Sequence, residues 1–206
     1  MVRGIDISHY NGPVNFAQSA GSGFAFVYVK ASEGRFTKDP LFAANYAGLL
    51  QNQIPRGAYH FFYPQLDAQA QASNFLSAVT HLNAGDLPPV LDVEMSGEQN
   101  PSAIATAIQQ WLDSVQENLG CTPMIYTAAG FWNTALGGTT SFASYPLWVA
   151  EYTGNSSPRL PTGFTNYVFW QYSQSGSVPG IASNVDMDQF NGSLSDLNQL
   201  AGLGSN

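Results

Sequence analysis

The sequence predicts an α/β fold of five strand–helix units followed by three strands joined by loops, (β/α)5(β)3 in outline. Three observations lead there. Strand-like apolar runs alternate with helical stripes through the first two-thirds of the chain, the mark of a parallel sheet with right-handed crossovers. After Leu136 the stripes stop while strand-like runs continue between segments rich in Pro, Gly, Ser and Thr. The strand count reaches eight, enough to close a barrel. The 206 residues fall short of the ~250 of a full eightfold barrel, as loss of the last helices would require. An open doubly wound sheet is the alternative. It would usually carry a Gly-rich first turn, and no G-x-G-x-x-G occurs.

Each element has its own signal. "GIDIS" reads as the first strand, followed by a short helix capped near Asn15. "FAFVYVKAS" is the second strand. Asp39 as cap and Pro40 in the first turn start the next helix, whose Leu41, Phe42, Tyr46, Leu49 and Leu50 recur at helical spacing. "RGAYHFF" is the third strand, and the helix after Asp67 carries Phe75, Leu76, Val79 and Leu82. "PPVLDVEM" is the fourth. Asn100 and Pro101 open a helix striped by Ile104, Ile108, Trp111, Leu112, Val115 and Leu119, and Gly120 stops it. "PMIYTA" is the fifth strand, followed by a short helix with Phe131, Trp132 and Leu136. "YPLWVAEY", "YVFWQYS" and "VDMDQF" are the last three, and Ser195 to Leu203 a final short helix. With no linker and no repeat, residues 1–206 read as a single barrel domain.

Composition narrows the function. Hydrophobic residues reach 44%, enough for a substantial core. A net charge of −8 argues against nucleic acid and anionic membranes as partners. No apolar run approaches the ~18 residues of a membrane span. Arg3 and Asp6 interrupt the start, which reads as strand and not as a signal peptide. Cys121 is the single cysteine, expected to be a small buried hydrophobe. Two Asn-X-Ser/Thr triplets, at Asn155 and Asn191, are short enough to arise by chance.

Alternation along strands gathers the acids. Asp92 and Glu94 share one parity, with Leu91 and Val93 on the other. Asp6 shares parity with Gly4 and Ser8, and Asp186 with Asp188. Three strands thus send carboxylates inward near their C-terminal ends, where barrel active sites lie. Crowded carboxyls keep a proton, and two with split roles are the usual equipment for glycoside hydrolysis. One protonated acid and one ionised partner are expected. Tyr59, Phe61, Tyr126, Trp148 and Trp170 fall in or near strand ends, where sugars could stack, although core packing explains each singly. Lys30 shares parity with Phe26 and Tyr28, and inside the barrel it would offset acidic charge. Gln171 reads as a hydrogen-bonding wall residue or a plain strand position. His9, His60, Asp186 and Asp188 could supply metal ligands, but no H-x-x-x-H or H-E-x-x-H spacing occurs, so neither metal nor cofactor is expected. No G-x-S-x-G elbow supports Ser-His-Asp catalysis.

Taken in order, "GIDIS", "VKASEG", "GAYHFF", "LDVE", "PMIYT", "LWVAEY", "WQYS" and "VDMDQF" resemble the Chalaropsis-type lysozymes, glycoside hydrolase family 25, from Gly4 to about Asn191. The resemblance implies a flattened, modified TIM-type barrel. It implies a secreted, antimicrobial, monomeric muramidase cutting the β-1,4 bond between N-acetylmuramic acid and N-acetylglucosamine in peptidoglycan. By its motifs, Glu94 is the general acid, Asp92 its partner, and Asp6 and Asp186 supporting carboxylates. Tyr126 is implied as a hydroxyl donor, and Lys30, Tyr59, Phe61, Trp148 and Gln171 as substrate-binding neighbours. Asp92 either attacks the anomeric carbon or orients a substrate acetamido group that attacks instead. Two side chains on one strand face are poorly placed to flank a sugar from opposite sides, which favours the second route with retention. A chitinase-like barrel is a rival, yet its D-x-x-D-x-D-x-E pattern is broken by Val90 and Leu87. A non-catalytic carbohydrate-binding barrel is another, and retention of Glu94 counts against it.

Overall fold

Closure of the sheet rests on one pairing. In the computed structural model, which describes residues 2–203, β1 (Val2–Ile7) lies parallel to β2 (Phe26–Glu33), with Asp6 opposite Tyr28. A two-residue strand, β3 (Thr37–Lys38), folds back on the end of β2 outside the ring. The ring continues through β4 (Arg56–Phe61), β5 (Val90–Asp92), β6 (Met124–Ala128), β7 (Leu147–Ala150), β8 (Phe169–Gly176) and β9 (Val185–Phe190), which returns to β1. The barrel is therefore closed by the eight expected strands, and the open-sheet alternative falls.

One expectation fails. β9 is antiparallel to both β8 and β1, so the sheet is mixed and not parallel throughout. The segment 177–184 is too short for a parallel crossover, which takes about a dozen residues. Asp186 consequently sits near the N-terminal end of its strand, not the C-terminal end. Reversal still brings it to the shared rim, directly opposite Asp6.

The helices α1 (Phe16–Ser19), α2 (Phe42–Gln51), α3 (Ala68–Leu76), α4 (Pro101–Leu119) and α5 (Ala129–Ala135) follow the strands as expected, and α6 (Leu194–Leu200) follows the barrel. Asn100 caps α4 by accepting from the Ala103 N–H at 2.9 Å, and Gly120 ends it at φ 65°. Asp67 caps α3, accepting from Ala70 at 2.7 Å. That helix stops at Leu76, so Val79 and Leu82 pack on the core from beyond it. α2 starts at Phe42, two residues after Pro40. Asp39 does accept from the Leu41 N–H at 2.9 Å, but its other oxygen is bonded to the backbone and ring of His9. Cys121 is half-buried at the α4–β6 turn and not a core residue, because the chain bends there before the strand begins. Among the described residues no helix is long and apolar enough to cross a membrane.

Two shells of apolar side chains hold the ring. Outside, Leu91, Val93, Ile125 and Val149 meet Ile104, Ile108, Trp111, Leu112 and Val115 of α4, with Trp132 of α5. Inside, Phe26, Tyr28, Trp148, Phe169 and Phe190 fill the lower barrel, and Leu197 and Ala201 close its base. Fully burying such side chains stabilises the fold by about 1.5–3 kcal/mol each. The plug needs missing side chains opposite it. A Cβ on Gly57 would lie 2.0 Å from the Tyr28 ring, whose hydroxyl is anchored to the Pro88 carbonyl at 3.1 Å. Because the base is filled, the inside of the barrel opens at the upper rim.

Gly57→Ala should therefore destabilise the fold by about 2 kcal/mol, the usual scale of core overpacking, read as a lower urea midpoint with an unchanged slope. An unchanged midpoint would mean that the aromatic plug is loosely packed.

Candidate active site

The upper rim opens into a cleft of about 530 Å³. All ten residues singled out from the sequence line it: Asp6, Lys30, Tyr59, Phe61, Asp92, Glu94, Tyr126, Trp148, Gln171 and Asp186. Strand register explains the convergence. Phe61, Asp92 and Tyr126 lie side by side on β4, β5 and β6, and Trp148 continues the row on β7. Asp6 and Asp186 are an opposed pair on β1 and β9. β5 ends at Asp92, but the chain keeps its alternation through Val93, whose N–H donates to the Tyr126 carbonyl at 2.9 Å. Glu94 thus follows Asp92 onto the cleft side. The turn beyond it is tight: Gly97 has φ 55°, and a Cβ there would meet Gln65 at 2.0 Å.

Four side chains form a hydrogen-bonded wall. Gln171 donates through Nε2 to Asp6 Oδ2 at 2.6 Å. Its Oε1 accepts from Tyr126 at 2.8 Å and from Tyr152 at 2.6 Å. The Gln171 amide oxygen is thereby saturated, and the Tyr126 proton points at Gln171 and not into the cleft. Trp148 is buried, and its Nε1 donates to Asp188 at 3.0 Å, so the indole floors the cleft. Phe61 and Tyr59 are only partly covered and present ring surface to the opening. Lys30 does point inward, but its ammonium pairs with Glu33 and sits 4.9 Å from the Phe61 ring centre.

The acids hold protons for a reason that differs from the one expected. Burial comes first, and like-charge crowding second. Burial, then Asp186 and Glu94, push Asp6 up to about 8 against the donated bond from Gln171. Asp92 is raised well above the usual carboxylate range by burial, then by Glu94 and Asp6. Asp186 is raised by burial. Glu94 is exposed to the water of the cleft yet walled by protein, and its rise is smaller in cause: burial and Asp186 raise it while Lys30 opposes. Both central acids are therefore raised, Asp92 from a buried position and Glu94 from the exposed side of the cleft. Asp92 Oδ1 is buried with no hydrogen-bond partner, which is why its charged form is so poorly supported.

One expectation needs correction. Trp170 faces the outer shell, donating to the Glu151 carbonyl at 2.8 Å; alternation that turns Gln171 inward must turn its neighbour outward. His60 is a core residue bonded to Ser32 and Gln71 and stacked on Trp111, its pKa lowered by burial to about 3. His9 bonds Asp39 at 2.7 Å. Neither histidine joins the acids. Conversely, Tyr10, Asn11, Tyr152, Gln174, Ser183 and Asn184 line the cleft without having been singled out. Tyr152 continues the parity of Trp148 and Ala150 and was legible on that ground; the others lie on loops or a strand end with no period.

Comparison with known proteins places the chain among glycoside hydrolases. The model of the family "Glycosyl hydrolases family 25" matches residues 5–181. Lysozyme M1 of Streptomyces globisporus is 38% identical over 97% of this chain and 71% of its own length. The N,O-diacetylmuramidase of Chalaropsis sp is 30% identical over 97% of this chain and 99% of its own. Among solved structures, the bacterial lysozyme of Streptomyces coelicolor superposes with a TM-score of 0.93 at 37% identity, covering 98% of each chain.

The raised acids make folding stability depend on pH. Folded Asp6 keeps its proton up to about 8, whereas the unfolded chain releases it near 3.8. That contribution is complete below 3.8 and is lost as pH rises through 8. Asp6→Asn has no proton to lose, so it should gain stability on the wild type steadily from about pH 4 to about pH 8 in urea unfolding. A difference that stays constant over that range would contradict the burial of Asp6.

Proposed function

This chain belongs to glycosyl hydrolases family 25 and is a glycoside hydrolase of the lysozyme and muramidase family, and we propose that it hydrolyses the β-1,4 bond between N-acetylmuramic acid and N-acetylglucosamine in bacterial peptidoglycan. The observation that carries this reading is the convergence of Asp6, Asp92, Glu94 and Asp186 on one open cleft with aromatic walls. A single barrel acting as a secreted monomer, with no nucleic acid or membrane partner, fits the acidic chain and a substrate that lies outside the cell.

Position separates the roles of the two central acids. Glu94 stands at the water-filled mouth with a raised pKa, suited to give its proton to the departing glycosidic oxygen. Asp92 lies deeper and on the same face, so it is badly placed for attack from the opposite side of the sugar. A substrate acetamido N–H donates to the cleft side of the Asp92 carboxyl, which has no donor of its own on its buried Oδ1. Donation to a carboxylate favours its charged form, so Asp92 gives up its proton as substrate binds. The ionised Asp92 then balances charge as the acetamido oxygen attacks the anomeric carbon and the glycosidic bond breaks. Water, deprotonated by Glu94, opens the resulting ring from the face the leaving group vacated, and the configuration is retained. Tyr126 and Tyr152 hold Gln171, and through it Asp6, in place behind this pair.

Glu94→Gln should lower the clearing of Gram-positive cell walls by at least ~10²-fold while wall binding persists. Unchanged clearing would remove Glu94 from the mechanism. Walls whose muramyl residues lack the N-acetyl group should be cut poorly, and proton NMR of the first product should show the β-anomer. An inverted first product would rule out both the acetamido route and a covalent Asp92 intermediate.

A further inference from the structure

Asp188 lies beneath the cleft floor and outside the roles assigned above. On β9 it is flanked by Gly4 of β1 and Gln171 of β8. It is fully buried, and the space beside it that a Gly4 side chain would need is filled by the Phe26 ring. Oδ1 accepts from Trp148 Nε1 at 3.0 Å, while Oδ2 finds no N–H or O–H donor. The Asp6 carboxyl stands two residues along β1 from Gly4 on the same face, and it bonds the Gln171 that pairs with Asp188. Two carboxylates cannot bond each other, since both only accept. Among the described residues no ion pair reaches Asp6 or Asp188: Lys30 pairs with Glu33, Arg56 with Asp86 and Arg159 with Glu151. A doubly ionised pair would therefore place two like charges side by side in a low dielectric with no counter-ion.

We propose that Asp188 is a positioning residue that keeps its carboxyl proton and donates it to Asp6, so that Asp6 is the member of the pair that ionises. The groups facing Asp188 are Asp6 on β1, Asp186 on its own strand, Trp148 on β7, Gln171 on β8 and Tyr28 on β2. Burial and the neighbouring acids raise Asp188, and the shared bond raises Asp188 while lowering Asp6, which puts the proton on Asp188. Asp6 is thus held by two donors, Gln171 and Asp188, and once it ionises, above about 8, its charge helps keep the proton on Asp92. The kinetic consequence rests on the hydrolytic reading of the cleft; the location of the proton does not.

Asp188→Asn tests this, because its amide oxygen accepts from Trp148 and its amide N–H donates to Asp6. Infrared spectra at neutral pH should show one protonated-carboxyl band in the wild type that is missing in Asp188→Asn. The variant should keep kcat/KM within ~3-fold, with the basic limb of its pH profile unmoved. Asp188→Leu removes the donor, so Asp6 holds its proton beyond about 8; on the basic limb, where wild-type Asp6 is ionised, the profile should fall at lower pH with kcat/KM there down by ~10-fold or more. No missing band, or a shifted basic limb in Asp188→Asn, overturns the proposal, because Asp188 then carries charge. A folded Asp188→Leu with wild-type rate and profile overturns it as well. Where Asp188→Leu does not fold, the Asp188→Asn profile and the infrared band decide. If Glu94→Gln fails to reduce clearing, the hydrolytic reading falls while the infrared result still locates the proton.

Discussion

Removing a carboxyl group from water without giving it donors makes it keep its proton, and this constraint governs the whole upper barrel. Asp6, Asp92 and Asp188 are buried, yet few groups are positioned to stabilise their charges. Lys30, the cation on the cleft wall, is committed to Glu33. Asp92 in particular has a buried oxygen with no hydrogen-bond partner.

The fold supplies this arrangement through two decisions made far from the cleft. An aromatic plug fills the lower barrel, made possible by glycines opposite Phe26 and Tyr28, so that polar side chains are left only near the rim. The reversal of β9 then sets Asp186 against Asp6 and Asp188 beneath them. A parallel β9 would carry the same residues to the opposite end of the barrel. The outer shell, with α4 and its five-residue apolar stripe buried against the strands, keeps this ring closed.

Much of this was readable in advance because strand alternation has a period of two and tolerates no slip. Parity alone separates Asp92 and Glu94 from Leu91 and Val93, and it brings ten residues to one cleft. Trp170 shows the same rule from the other side, since adjacent residues such as Trp170 and Gln171 cannot both face inward. Three things were not readable. The direction of β9 depends on loop length, which periodicity does not report. Tyr10, Asn11, Ser183 and Asn184 come from segments without period, and only the closed ring brings them together. The balance between Asp92 and Glu94 depends on depth in the cleft, and two residues of equal parity differ in depth without any sign of it in the chain.

The central claim, that burial first and crowding second hold these protons, can be measured group by group. Carbon-13 NMR titration of the side-chain carboxyls in the free enzyme should place Asp6, Asp92 and Glu94 above their ordinary values of 3.8 for Asp and 4.5 for Glu, with Asp6 near about 8 and Asp92 above Glu94. Titration of Asp6 and Asp92 at ordinary values would show that water reaches them, and the account would be wrong.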